Sequence, residues 1–152
     1  MTLAQDVKTS LYEQDYLLWL EQVAEQLRQK DFEGLDITNL IEEIGDLGKS
    51  EKHAVASYLM HLCEHLLKLK YWDSERDRCF RGWSVEITNF RFQLQRRLKS
   101  SPSLRNYLEE IFLEEYGNGR MLFLTASGLD ADTVPAQPSF DLKNALDQNW
   151  LP

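Results

Sequence analysis

The run His61-Leu62-Cys63-Glu64-His65 concentrates the side chains best suited to chemistry. Residues four apart share one face of a helix, so His61 and His65 can hold a single divalent metal. The His-x-x-Glu-His spacing also matches inverted zinc-peptidase motifs. A catalytic zinc needs a third ligand and an open position. Glu42, Glu43 and Glu86 are the carboxylates that could supply that ligand. Against this, His65 adjoins an apolar stripe, where a histidine is more often a core residue satisfied by one hydrogen bond. The structural reading is therefore favoured and no cofactor is expected. A metal-binding protein or metal-dependent hydrolase using His61 and His65 is the alternative.

Glu42, Glu43, Asp46 and Glu51 form a second cluster. Paired carboxylates serve as acid and base, or as ligands of a di-metal centre. Di-iron bundles combine them with Glu-x-x-His, and that pattern is absent here, because Glu64 adjoins His65 and Glu51 lies two before His53. Acidic residues early in a helix suit its positive end, which is the plainer reading. No Gly-x-Ser-x-Gly and no phosphate-binding glycine loop occurs. Cys63 reads as a small core residue, and Cys79, among arginines, as the more reactive thiol. These observations lean away from an enzyme.

The charge distribution points to binding instead. From Lys68 to Arg105 ten Lys/Arg face four Asp/Glu, a net of +6. The flanks are acidic, five basic against thirteen acidic before it and two against eight after it. Arg76, Arg78 and Arg81 sit beside Tyr71, Trp72, Phe80 and Trp83. Arginine and tryptophan are enriched at binding hot spots, so Trp72, Arg76, Arg78, Arg81 and Trp83 are the candidate partner-binding residues. The cognate surface is an acidic protein. Internal pairing with the acidic flanks competes with that role. Nucleic-acid binding by the same block is the weaker alternative, since the net charge of −8 disfavours it.

The elements that must position these residues are helices. At 152 residues a single domain spanning 1–152 is expected, with the first ~12 residues as a flexible arm. Two cysteines give no disulfide framework, and neither a signal peptide nor a membrane span is seen. These features predict a cytoplasmic protein. Tyr16, Leu17, Leu20, Val23, Ala24 and Leu27 place a first helix from about Leu11 or Asp15 to Lys30. Asp36 then caps a long helix, whose stripe runs from Leu40, Ile41, Ile44 and Leu47 through Val55 and Leu59 to Leu69. Gly45 and Gly48 in that stripe mark either close packing or a bend. Asp73 to Arg81 reads as a charged loop. A third helix follows with Trp83, Ile87, Phe90, Leu94 and Leu98 buried and its arginines largely on other faces. Ser101-Pro102 restarts the chain into a fourth helix reaching about Ser127, weakened by Gly117 and Gly119. Ser139 or Asp141 caps a short last helix ending at Asn149. The predicted fold is all-α, a bundle of four main helices with a short C-terminal helix.

Several segments also carry a family resemblance. They are Asp15-Tyr16-x-x-Trp19-Leu20, the run Asn39 to Glu51, His65-Leu66-Leu67-Lys68, Arg81-Gly82-Trp83 and Ser101 to Arg105. Together they resemble the bacterial family called "domain of unknown function 29", common in cyanobacteria, from about Asp15 to Pro152. The resemblance implies an all-α fold of the same outline and no biochemical activity.

Overall fold

Apolar residues at spacings of three and four dictate helices, and capping residues decide where they start. The computed structural model describes residues 10–152. The order is α1 (Leu11–Gln14), α2 (Tyr16–Arg28), α3 (Ile37–Tyr71), α4 (Asp73–Ser100), α5 (Leu104–Ser127), a 3-10 turn (Ala131–Thr133) and α6 (Leu142–Leu146). Among the described residues there is no strand, so the fold is all-α, with four long helices and a short C-terminal one. Most of the expected N-terminal arm, residues 1–9, lies outside the described residues, while Leu11 and Tyr12 already belong to α1.

Asp15 caps α2 by accepting from the Leu18 amide at 3.0 Å. The helix ends before the expected Lys30. Lys30 takes a left-handed conformation (φ 58°), and the Asp31 amide bonds back to the Gln26 carbonyl at 2.9 Å. This is a Schellman closure with lysine where glycine is usual. Asp36 caps α3 as expected, accepting from the Asn39 amide at 3.4 Å. α3 then runs unbroken, and no side chain or backbone lies within 4 Å of a Cβ placed at Gly45 or Gly48. Neither glycine therefore marks a close approach or a break.

The expected loop from Asp73 to Arg81 is instead the first part of α4, with only Trp72 between the two long helices. Its charge is compatible with helix. Asp73 and Glu75 sit at the positive end, and Arg76–Asp73 and Arg78–Glu75 pair at i,i+3. The segment contains neither proline nor glycine before Gly82 to stop it. α5 closes at Gly128, whose φ of 68° suits a residue without Cβ. α6 is capped by Asp141, reciprocally with Asn144, and ends at Leu146 rather than Asn149.

The chain divides into two compact units between Gly48 and Lys49. In the C-terminal unit, Val55, Leu59, Leu62 and Leu66 of α3 pack with Ile87 and Leu94 of α4 and with Leu108, Tyr116 and Phe123 of α5. Val134, Phe140, Leu142 and Leu146 from the chain after α5 complete this core. Tyr116 and Arg120 hold that last segment, through a 2.8 Å bond to the Pro135 carbonyl and bonds of 2.7 to 3.0 Å to the carbonyls of Ala131 and Val134.

The N-terminal unit is a helical hairpin. Tyr12 and Tyr16 both donate to the Glu43 carboxylate, Tyr16 at 2.6 Å, and the Trp19 indole donates to Asp36 at 3.2 Å. Early residues of one helix thus meet late residues of the other, so α2 and the start of α3 run antiparallel. Trp19 and Val23 are buried between them. The rest of the apolar stripe is not. Leu17, Leu20 and Leu27 of α2 and Ile37, Ile41 and Ile44 of α3 are 36% to 67% exposed.

The tyrosine–glutamate knot has a pH signature. The hydrogen bond to Glu43 favours the neutral phenol, raising Tyr12 to about 12 and Tyr16 in the same direction. The same bonds hold the Glu43 carboxyl below its ordinary value. A depressed carboxyl stabilises the hairpin above the unfolded glutamate pKa of about 4.3, an effect lost as pH falls through the lower folded value. Raised phenols stabilise it below about pH 10, an effect lost as pH rises toward 12. In a spectrophotometric alkaline titration Tyr12 should ionise late, and Glu43→Gln should return it toward pH ~10. An unchanged titration in Glu43→Gln would show that the knot does not form.

Candidate functional site

The His61–His65 stretch lies in the C-terminal unit, beside Phe90 of α4. The His61 ring stacks on Phe90 and the His65 ring meets it edge-on, at 5.7 and 5.3 Å between centroids. His65 Nδ1 lies 2.7 Å from the His61 carbonyl, which can only accept, so that nitrogen carries the proton. His61 Nδ1 is 3.0 Å from Glu64, which also takes Lys68 Nζ at 3.2 Å. Burial pushes the His65 pKa down, only partly opposed by the bond to the His61 carbonyl. Burial also works to raise the Glu64 carboxyl, but His61 and Lys68 outweigh it and hold the carboxyl below its ordinary value. The arrangement is a neutral, hydrogen-bonded histidine against an aromatic ring, beside an ionised and already paired glutamate. Among the described residues no group of three or more His, Cys, Asp or Glu is placed to hold a metal ion. Glu86 is close enough to act on His65 electrostatically. Glu43 is engaged by tyrosines in the other unit.

Of the residues expected to bind a partner, Trp72 and Trp83 stack on each other at 5.7 Å, and Trp83 is 8% exposed. They form part of the core beneath the surface. Arg76 turns back to close α3, donating to the Leu69 and Lys70 carbonyls at 2.6 and 2.8 Å and to Asp73. It lines an open cleft of about 470 Å³ with Leu69, Lys70, Phe80, Leu151 and Pro152. Arg78 pairs with Glu75 and points outward. Arg81 is exposed.

Sequence reasoning missed the continuation of this basic surface along α4. At 100° per residue, Arg78, Arg81, Val85, Phe92, Arg96 and Lys99 fall on one outward stripe. Val85 is 65% and Phe92 55% exposed, and Arg81, Arg96 and Lys99 are exposed around them. The spacing 3, 4, 7, 4, 3 was present in the sequence, but reading Arg78 and Arg81 as loop separated them from the later positions. Arg91, expected with Arg96, Arg97 and Lys99 largely on faces other than the buried stripe, is instead buried. Arg97 is also turned inward, over the Tyr58 ring at 5.0 Å and 3.7 Å from Glu51 of α3, which answers part of the basic block internally. Cys63 is buried, with burial raising its pKa, and Cys79 is half-buried.

These features define an all-helical domain with one outward face that is basic at its ends and apolar at its centre. Among the described residues no helix is long and apolar enough to cross a membrane. The family model described as "Domain of unknown function DUF29" matches residues 11–151, and the chain belongs to that family. No curated protein and no solved structure matches it.

Proposed function

We propose that the chain is a non-enzymatic, cytoplasmic interaction module that takes an acidic protein partner on the outer face of α4. The observation that supports this reading is the exposed stripe with Val85 and Phe92 at its centre and Arg78, Arg81, Arg96 and Lys99 at its ends. An apolar centre excludes water while flanking charges select and orient the partner. Of the residues first singled out, Arg78 and Arg81 belong to this face. Trp72 and Trp83 support it from below, and Arg76 maintains the α3–α4 junction.

Arg81→Glu combined with Arg96→Glu tests the reading, since both side chains are exposed and neither reversal disturbs the core. A synthetic amphipathic helix of leucine and glutamate should bind the native chain, and the double variant at least ~10-fold more weakly, about 1.4 kcal/mol. Far-ultraviolet circular dichroism should not change. Equal binding by both proteins would remove the proposal. Binding of duplex DNA or RNA that falls steeply with salt, with none of the peptide, would move it to nucleic acid.

A further inference from the structure

The N-terminal hairpin leaves an apolar surface of its own uncovered, and what that surface takes is independent of the partner on α4. We propose that it binds the same surface of a second copy of this chain, two hairpins closing face to face into a four-helix bundle.

The exposed residues lie on one side of the hairpin. The inner face of α2 is marked by Trp19 and Val23, and Leu17, Leu20, Ala24 and Leu27 lie about 100° round from it. The inner face of α3 is marked by Asp36, Leu40 and Glu43, and Ile37, Ile41 and Ile44 lie about 100° round in the same rotational sense. In antiparallel helices equal turns of the same hand end on the same side, so the two stripes adjoin. The six leucines and isoleucines are all exposed. Together they present on the order of 500 Å² of apolar surface, near the upper end for the largest patch on an ordinary monomer. The charges around it decide which partner fits. The face is bordered on α2 by Glu21 and Arg28, one of each sign, and on α3 by Thr38 and Gly45. Glu25, Glu42 and Asp46 point off the opposite side. A face without net charge gives a charged partner nothing to select, and two copies of it meet without like-charge repulsion.

Shape and area agree. Two antiparallel pairs stacked on their apolar seams make an up-and-down four-helix bundle. Tyr16 reaches Glu43 and Trp19 reaches Asp36, so Leu17 stands level with Ile41 and Leu20 with Ile37. A two-fold axis parallel to the helices keeps those levels. It lays Leu17 of each copy on Ile41 of the other and Leu20 on Ile37, with every adjacent pair of helices antiparallel. The two patches and their polar rims, with apolar atoms making up about 60% of the area, bury on the order of 1,500 Å², the size of a stable interface. The same surface serves both copies, so the assembly closes at two.

Light scattering coupled to gel filtration tests the proposal on the full chain. The native protein should run at twice the 17.9 kDa chain mass. It should do so equally at about 0.1 M and about 0.5 M salt, because the contact is apolar. Leu17→Glu and Ile41→Lys should each run as monomers. Both positions lie off the hairpin's inner face, so the late ionisation of Tyr12 should persist in each variant and report an intact hairpin. Their equimolar mixture should recover the dimer, since one contact then joins opposite charges and the other stays leucine on isoleucine. Glu25→Ala/Glu42→Ala, on the opposite side, should remain dimeric. A monomeric native protein, a dimer lost at the higher salt, Leu17→Glu or Ile41→Lys still dimeric, a mixture that stays monomeric, or masses that grow without limit would each overturn it. Peptide binding through Arg81 and Arg96 is read separately, so either proposal can fail while the other stands.

Discussion

Gly119→Ala should be the most damaging small substitution in α5, while Gly117→Ala, two residues earlier, should stabilise the protein. A Cβ at Gly119 would stand 2.6 Å from the Met60 carbonyl oxygen and 2.9 Å from the Glu64 amide nitrogen of α3. Both are backbone atoms of a continuous helix and cannot swing aside, and the Cys63 Cβ is 3.1 Å away as well. The two helices must move apart, loosening Tyr116 and Phe123 on either side of the contact. Overpacking of this kind costs typically 1–3 kcal/mol and occasionally more, against which alanine returns about 1 kcal/mol of helix propensity. The strain falls on backbone, so we expect a net loss of about 2 kcal/mol, a fall in Tm of roughly 4–8 °C. At Gly117 nothing lies within 4 Å, and only the propensity gain of up to about 1 kcal/mol remains. Urea unfolding of the two variants side by side measures the difference. Equal effects would mean that α5 does not cross α3 at Gly119.

This pair shows what could be read from the sequence. Both glycines stood out as weak points of a helix, and helical spacing alone separates them. Leu108, Phe112, Tyr116, Gly119 and Phe123 step by 4, 4, 3 and 4 along the buried face, whereas Gly117 is off it. In α5 the glycine in register with the buried stripe is the one that a neighbour approaches, whereas Gly45 and Gly48 in the exposed part of the α3 stripe meet nothing. The all-α class and most helix ends were legible for the same local reason, since caps and periodicity act within a few residues. Exposure was not legible. Ile41 and Ile44 lie in the same helical register as Val55 and Leu59, yet the first pair is exposed and the second buried. The break between them, where Glu51 and Lys52 hold the stripe positions, does not say which side is covered, because burial depends on which distant segment meets each turn. The candidate site suffered from one local error. Dense charge from Asp73 to Arg81 suggests a loop, although i,i+3 ion pairs make such a segment a sound helix start. Correcting that start brings Arg81 into line with Phe92 and Arg96.

Replacing Arg91 by leucine should release α6 from the bundle. Arg91 is 1% exposed, in the middle of α4. Its Nε donates to the Ala145 carbonyl at 2.7 Å and its Nη2 to the Asn144 carbonyl at 3.4 Å. Gln95, one turn on, donates to the Leu146 carbonyl at 2.8 Å. α6 is five residues long, so the Ala145 and Leu146 carbonyls have no partner within the helix, while the Asn144 carbonyl also accepts from the Asp147 amide at 3.1 Å. α4 therefore supplies from its side chains the donors that a longer helix would find in its own backbone, and the guanidinium charge suits the negative end it meets. Burial lowers the Arg91 pKa, with Asp147 opposing that shift. Leucine can fill much of the space but donates nothing. The Asn144 carbonyl keeps the Asp147 amide, so Arg91→Leu orphans the Ala145 carbonyl alone and should destabilise the native state by about 1–3 kcal/mol. Gln95→Ala removes a single neutral bond and should cost about 1 kcal/mol. The loss should also be local, because α6 joins the core late in the chain through Leu142, Ala145 and Leu146. In native-state hydrogen exchange the amides of 141–150 should lose protection at denaturant concentrations where Leu59, Leu62 and Leu108 keep theirs. Uniform loss of protection across α3, α5 and α6 would instead make Arg91 part of a single cooperative core. Unchanged exchange in α6 would show that the carbonyls are satisfied without it.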